Sequence, residues 1–89
     1  MKTNKEKYEG ECKINEKDGY GKFYDINGII YEGEFKNDIG EGIGILYFPN
    51  GNKYEGEFKN NKRDGKGIMY YSNGNKEEGI WKNNKLEKS

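Results

Sequence analysis

The chain has 89 residues, a formal net charge of zero, one cysteine and no histidine, so it is one small domain with little material for a buried core. Sixteen basic residues are balanced by sixteen acidic residues, which removes the positive excess expected of a nucleic-acid-binding protein. Without histidine there is no histidine-dependent catalytic triad, and one cysteine cannot build a zinc site, so we expect neither an enzyme nor a cofactor.

We expect a chain without a targeting segment, because the charged residues at 2–7 are not followed by an apolar stretch. Cys12 cannot form an internal disulfide, and small secreted domains usually contain several, so we expect a cytoplasmic protein. No apolar run approaches the roughly 20 residues of a membrane-spanning helix. Any association with a membrane is therefore expected to be peripheral.

A repeat of 23 residues organises the sequence and is marked by Tyr8, Tyr31 and Tyr54. Thirteen of the 14 glycines fall on the same lattice, and only Gly40 lies off it. Self-similarity at a fixed period indicates a repeat architecture. We therefore divide the chain into an N-terminal tail (1–7), three repeats (8–30, 31–53 and 54–76), and a partial fourth repeat with the C-terminal tail (77–89).

Each repeat predicts two strands and no helix. The opening segment of the second repeat, 31–35 (YEGEF), alternates large and charged residues with the period of two that is typical of a half-buried strand. A second strand is predicted at 44–48 (GILYF). Between repeats, Asn-Gly dipeptides such as Asn50-Gly51 are strong hairpin signals. The polar stretches 15–18, 38–41 and 61–64 predict the other turn.

Side-chain alternation predicts how the strands pair. The aromatic residues stay on one face if the loop within each repeat has an even number of residues and the loop between repeats has an odd number. This register sets Gly33 opposite Leu46 and Tyr31 opposite Phe48, with large side chains over glycine backbone. The predicted fold is all-β: a single-layer, curved antiparallel β-meander of 23-residue hairpin repeats, with three hairpins plus a final strand, or seven strands in all.

The other face of this sheet carries glutamates at matched positions of the repeat and is expected to be a solvated outer wall. One alternative stays open, in which Ile45, Ile68 and Ile80 form a small contact patch for a partner. Cys12 occupies an aromatic position of the lattice, so we expect it to be a small buried filler.

The repeat resembles the MORN (membrane occupation and recognition nexus) family. The resemblance rests on YEGEFKN at 31–37 and 54–60, followed in the third repeat by RDGKG at 63–67 and by Asn73-Gly74. It departs from the pattern at Cys12, Asp25, Glu77 and Trp81. The resemblance implies a single-layered sheet of hairpins that acts in scaffolding, dimerisation, or anchoring at membranes and the cytoskeletal cortex, in some members through phospholipid head groups.

A protein-binding scaffold is the function we expect first. An apolar face without a second layer is the kind of surface that marks an interaction site. The aromatic and glycine trough would accept a helix or extended peptide of a partner, or a second copy of the chain. Internal packing over glycine is the alternative role of each ring. The predicted anchors are the large rings of that face: Tyr31, Phe35, Phe48, Tyr54, Phe58, Tyr71 and Trp81.

Binding of anionic phospholipid is the alternative function. It would use basic residues near one loop edge, where acidic neighbours reduce the attraction. The chain is also compatible with an appendage of a larger enzyme, itself without catalytic residues. The basic residues of this alternative are Lys36, Lys59, Lys62, Arg63, Lys66 and Lys82.

Overall fold

Eight antiparallel strands form one sheet in the computed structural model, which describes residues 6–87. The strands lie side by side in chain order, which confirms the all-β, single-layer meander of hairpins. Part of each predicted tail, residues 1–5 and 88–89, lies outside the described residues. The strands are β1 (Lys7–Lys13), β2 (Glu16–Tyr24), β3 (Ile30–Lys36), β4 (Ile39–Tyr47), β5 (Lys53–Lys59), β6 (Lys62–Tyr70), β7 (Lys76–Lys82) and β8 (Lys85–Leu86).

The structure has one strand more than the seven predicted. The two-residue strand β8 pairs with the end of β7, where Leu86 lies opposite Trp81. The side chain of Leu86 reaches the backbone of Gly79, at which a Cβ would meet its Cδ1 at 3.0 Å. The last repeat therefore closes as a short hairpin, and an aliphatic side chain covers its glycine.

Tight two-residue turns join the strands within repeats. In the second repeat the turn is Asn37-Asp38, with φ of 51° and 69°, and Lys36 pairs with Ile39. Two successive residues with positive φ are the signature of a type I′ turn. The stretch 38–41, predicted to form this turn, instead lies mostly in β4. The even loop is confirmed, but it is shorter than expected.

The loops between repeats have the predicted odd length. The Phe48 N–H donates to the Asn52 carbonyl at 3.0 Å, and the Gly51 N–H donates to the Phe48 carbonyl at 3.0 Å. Gly51 has φ of 96°, whereas Asn50 is not among the residues with positive φ. This is a type I turn followed by a left-handed glycine, so the glycine of the Asn-Gly pair determines the loop.

The predicted register is wrong by two residues. Gly33 lies opposite Gly44, and Tyr31 lies opposite Leu46. Because a shift of two keeps the same residues on the same face, the alternation survives. The consequence is a continuous row of glycines across β1 to β7, formed by Gly10, Gly21, Gly33, Gly44, Gly56, Gly67 and Gly79. Glycine faces glycine in this row, and the large side chains flank it.

Each complete hairpin contains a bulge, which accounts for the two-residue difference between the predicted and the observed register. Glu34 of β3 stands opposite three residues of β4, since Gly33 pairs with Gly44 and Phe35 pairs with Gly40. The central residue of the bulge, Gly42, has φ of 75°, where glycine is strongly favoured. In the third repeat the Glu57 side chain enters the equivalent bulge and accepts the Lys66 N–H at 3.0 Å. The glutamates of the opposite face, which were expected to be solvated, therefore also accept hydrogen bonds from backbone N–H groups.

Buried residues concentrate on one face and towards the C-terminal repeats. Apart from glycines, they are Tyr31, Phe35, Tyr54, Phe58, Met69 and Trp81. The expectation that Cys12 is a buried filler is wrong, because Cys12 is exposed. It lies on β1, which pairs only with β2 in the sheet formed by residues 6–87, so within these residues it has a neighbouring strand on one side alone.

Candidate interaction face

The aromatic face is the sheet surface that carries Tyr8, Tyr31 and Tyr54. The Tyr31 hydroxyl donates a hydrogen bond to the Glu34 carbonyl at 2.8 Å, which holds the ring along its own strand. There the ring covers the glycine row, since a Cβ at Gly44 would lie 2.7 Å from Tyr31 Oη. Tyr54 repeats the bond to the Glu57 carbonyl at 3.0 Å. The tyrosine rings therefore cover the glycine backbone, in agreement with the prediction that large side chains lie over glycine.

A second set of rings locks the tyrosines together. Phe35 lies edge-on between Tyr8 and Tyr31, with centroid distances of 5.2 and 5.0 Å. Phe58 lies in the same way between Tyr31 and Tyr54, at 4.8 and 5.2 Å. Trp81 ends the series 5.3 Å from Tyr54. This aromatic ladder is continuous because each phenylalanine contacts the tyrosine of its own repeat and that of the preceding one.

Burial in the ladder changes the acidity of the tyrosines. Desolvation raises the pKa of Tyr54 to about 12, while the neighbouring Arg63 lowers it in part. The pKa of Tyr31 is raised further, again mainly by burial, with the Glu34 charge adding to the effect. Both hydroxyls are therefore neutral hydrogen-bond donors throughout the physiological range of pH.

The seven predicted anchor rings divide into two groups. Five belong to the ladder and are buried, so their main contacts are within the chain: Tyr31, Phe35, Tyr54, Phe58 and Trp81. Phe48 and Tyr71 are only half-buried and pack against the edge of the core. Phe23 and Leu46 share this position, although the sequence analysis did not select them. These four side chains, together with Tyr8 and Leu86, are the partly buried hydrophobic residues that pack against the core.

Side-chain clamps join each repeat to the one before it. Asn61, the second residue of its turn, accepts the Gly40 N–H at 2.7 Å, and its own N–H donates to the Gly40 carbonyl at 3.1 Å. Asp38 pairs in the same way with Lys17, and Asn84 with Arg63. Sequence reasoning missed these clamps, although an Asn or Asp at the same position of each turn was their signal.

A groove of about 460 Å³ opens on the aromatic face above the centre of the sheet. Its floor includes Tyr31 and Phe35 of the ladder. Apolar side chains and polar groups of both charges share its walls: Lys17, Phe23, Asp25, Ile29, Asp38, Leu46, Phe48, Asn61, Arg63 and Asn84. The predicted trough therefore contains a defined recess of mixed chemistry.

Arg63 lies over the rings at one end of this groove. Its guanidinium carbon is 5.6 Å from the Phe48 centroid, 5.9 Å from that of Tyr54 and 5.2 Å from that of Trp81. Partial burial lowers the pKa of Arg63. The contacts are cation–π interactions, which favour a guanidinium that keeps its charge beside the rings. Arg63 thus belongs to the aromatic face, although it was assigned to the lipid set.

The other predicted lipid-binding residues are exposed and lie on the strands near the turns within repeats. Lys36, Lys59 and Lys82 each precede a type I′ turn, and Lys59 pairs across its turn with Lys62. Lys66 is also exposed, further along β6. Acidic side chains at the same edge bind backbone: Glu41 accepts the Asn60 N–H at 2.8 Å, and Asp64 accepts the Asn83 N–H at 3.4 Å.

The opposite face exposes several apolar residues. Ile43 is 60% exposed, Tyr20 is 56% exposed and Ile80 is 45% exposed. A shallow recess there is lined by Ile68 and Ile80 together with Glu55, Lys66, Gly67, Glu78 and Gly79. Glu55 lies between Ile45 and Ile68 in the register, so the three predicted isoleucines are interrupted by charge.

No metal centre or spanning helix is found in the described part of the chain. Residues 6–87 contain no group of three or more Cys, Asp or Glu side chains placed to hold a metal ion. Within the same residues, no helix has the length and apolar character needed to cross a bilayer.

Successive hairpins in one layer, with tyrosines over a glycine row, define this molecule as a single-layer β-hairpin repeat protein. The model of the MORN repeat matches residues 8–29, 31–53 and 54–76. These matches cover more than half of the chain, and the protein belongs to the MORN repeat family. MORN repeats form non-catalytic all-β scaffolds that are generally associated with protein and membrane interaction. No curated protein sequence matches the chain.

Proposed function

We propose that this protein is a non-enzymatic cytoplasmic scaffold that binds a peptide or helix of a partner protein in the groove of its aromatic face. The observation that carries the proposal is the separation of roles on that face. The ladder rings are buried and hold the sheet together, whereas Phe23, Leu46 and Phe48 remain half-buried in the walls of the recess. Partly exposed apolar groups beside polar ones are typical of binding clefts.

The groove also suits a peptide better than a flat protein surface. Its walls contain both apolar and charged groups, so an extended chain with side chains of both kinds finds a contact for each. Aromatic side chains in such clefts often contribute much of the binding free energy. We therefore expect Phe48 to be the principal accessible anchor.

Selection from a random-peptide display library tests this function. Peptides enriched on the wild-type protein are measured again on Phe48→Ser and on the control Ile43→Ser, which removes an exposed apolar residue from the opposite face. We expect roughly tenfold or greater loss of affinity on Phe48→Ser and none on Ile43→Ser. Circular dichroism of both variants verifies that the sheet is intact.

The reverse pattern, with binding lost only on Ile43→Ser, would move the interaction site to the opposite face. Failure to enrich any peptide would contradict the proposal. Self-association is the other protein-binding mode that the face permits. Sedimentation over a range of concentrations detects it, and a dimer dispersed by Phe48→Ser would assign the groove to a second copy.

Phospholipid binding is supported as a second candidate by the lysines near the turns. Lys36, Lys59, Lys62 and Lys82 are exposed, whereas Glu41 and Asp64 at the same edge are engaged by backbone amides. Each lysine near an anionic surface contributes about 1 kcal/mol. Flotation with phosphatidylinositol 4,5-bisphosphate vesicles, against phosphatidylcholine vesicles, should show binding that Lys59→Glu with Lys62→Glu abolishes. Equal flotation with both vesicles would reject a role for charge. Charge-dependent binding would locate the protein at the membrane cortex.

A further inference from the structure

The single glycine outside the lattice, Gly40, lies against Asn61 and Tyr31, two residues that line the groove. Residues 23 positions before and after it are Lys17 and Arg63, whose long side chains lie on the aromatic face. A Cβ at Gly40 would be 3.3 Å from Tyr31 Cζ, so any longer side chain there would extend over the Tyr31 ring. Tyr31 itself is 8% exposed, and it lines the groove together with Lys17 and Arg63.

The two cations at the ends of the groove are not equivalent. Lys17 Nζ forms an ion pair with Asp38 Oδ1 at 3.5 Å. Arg63 Nε donates to Asn84 Oδ1 at 3.3 Å, but within residues 6–87 no carboxylate forms an ion pair with Arg63. A guanidinium has five N–H donors, and one is used here. Arg63 is therefore a partly desolvated cation with donors to spare.

We propose that Arg63 is the recognition point for a carboxylate, so that the bound peptide carries an Asp or Glu flanked by apolar residues. This rests on the proposed function and names the chemistry of its partner. A planar guanidinium held over rings presents its free edge to a carboxylate in bidentate fashion. Apolar neighbours of the acidic residue then contact Phe48 and Leu46 on the groove wall.

The walls of the groove favour a carboxylate over a phosphorylated head group. Asp25 and Asp38 also line the recess. Asp38 is paired with Lys17, but among residues 6–87 Asp25 forms no ion pair, so its charge would repel a group with several negative charges more strongly than a single carboxylate. A single carboxylate satisfies Arg63 with the least repulsion. The lysines of the turn edge lie outside this recess.

The test compares two capped tripeptides, acetyl-Leu-Glu-Leu-amide and acetyl-Leu-Gln-Leu-amide, at millimolar concentrations. Arg63 is the only arginine and Trp81 the only tryptophan, so the arginine Nε–H and the indole N–H resonances report directly on the subsite. We expect the glutamate peptide to shift both signals with an affinity roughly tenfold higher than that of the glutamine peptide. Inositol 1,4,5-trisphosphate serves as the phosphate probe and should perturb them less.

Two variants locate the effect. Arg63→Gln keeps the length of the side chain but removes the charge, and should reduce the preference for glutamate from about tenfold to none while leaving the weak apolar binding. Gly40→Gln restores a side chain over Tyr31 and should block both tripeptides. Amide spectra of both variants establish that the fold is retained.

The outcomes separate this inference from the proposed function. Equal binding of both tripeptides, with shifts at Phe48 and Leu46, would overturn the carboxylate preference and leave the groove as a peptide site. Perturbation of residues outside the groove, or of none, would overturn both. A larger response to the inositol phosphate would reassign Arg63 to phosphate recognition, and a preference that persists in Arg63→Gln would exclude Arg63 as its source.

Discussion

The indole Nε1 of Trp81 donates a hydrogen bond to the Gly67 carbonyl at 3.2 Å, so the last rung of the aromatic ladder is tied to the glycine row by a polar contact. Phenylalanine occupies the corresponding position in the two preceding repeats and has no such donor. Trp81 therefore combines the packing role of its siblings with a bond that fixes the C-terminal end of the ladder.

Substitution of Trp81 separates these two roles. Trp81→Phe keeps a ring against Tyr54 and should cost about 1 kcal/mol of unfolding free energy through the lost hydrogen bond. Trp81→Ala also opens a cavity and should cost about 3 to 5 kcal/mol. Urea unfolding followed by circular dichroism measures both. Equal losses in the two variants would show that the hydrogen bond, not the ring, dominates.

The glycine row makes a position-specific prediction. Gly44→Ala brings a methyl group to within 2.7 Å of Tyr31 Oη, and relief of that overlap should cost about 3 kcal/mol. Gly79→Ala is the matched control, because its methyl group meets only the mobile end of Leu86 at 3.0 Å, and should cost less than about 1 kcal/mol. Chemical unfolding of the pair tests this difference. Equal stabilities of the two variants would mean that the Tyr31 ring does not cover Gly44.

The clamp between repeats should be measurable at one amide. Asn61→Gly retains a residue that tolerates the positive φ of 67° but leaves the Gly40 N–H without its acceptor, at a cost of about 1 to 2 kcal/mol. Asn60→Gly alters the same turn, where the backbone N–H rather than the side chain binds Glu41, and should be nearly neutral. Hydrogen exchange of the Gly40 amide should accelerate only in Asn61→Gly, and protection that is unchanged would argue against the clamp.

Alkaline pH should destabilise the fold through the buried tyrosines. Burial raises the pKa of Tyr54 from its ordinary 10.0 to about 12, so its contribution is complete below pH 10 and is lost as the pH rises towards 12. Relative to Tyr54→Phe, the wild type should lose roughly 2 kcal/mol over this interval, since each pKa unit is worth about 1.4 kcal/mol. Unfolding by urea at several pH values gives this difference, in which lysine titration cancels. A constant difference would contradict the shift.

The alternation of residues revealed the fold because it depends only on parity. The tyrosine and glycine lattice placed Tyr31, Gly33 and Phe35 on one face, and a register error of two residues left that assignment intact. The register itself was not predictable from the same pattern. It follows from a two-residue turn at Asn37-Asp38 and a bulge at Gly42, and both depend on backbone dihedral angles.

The candidate site was predicted only in outline. The sequence identified the aromatic face, but it treated Phe48 and Phe58 alike, although one is half-buried and the other is buried. The difference arises from neighbouring repeats: Phe58 lies between two tyrosines, whereas Phe48 begins a loop. Gly40 was recognised as the exception to the lattice, but only the structure shows that it lies against Tyr31 and that Lys17 and Arg63, 23 residues before and after it, both line the groove.

Phe35 and Phe58 each pack between the tyrosines of two adjacent repeats. The sequence repeats are therefore not independent packing units. Cleavage of the chain between the second and third repeats would remove one of the two ring contacts of Tyr31 on one side and of Phe58 on the other. Thermal melting should accordingly spread through the whole array as one event, with coincident transitions at every reporter, rather than release the units one after another.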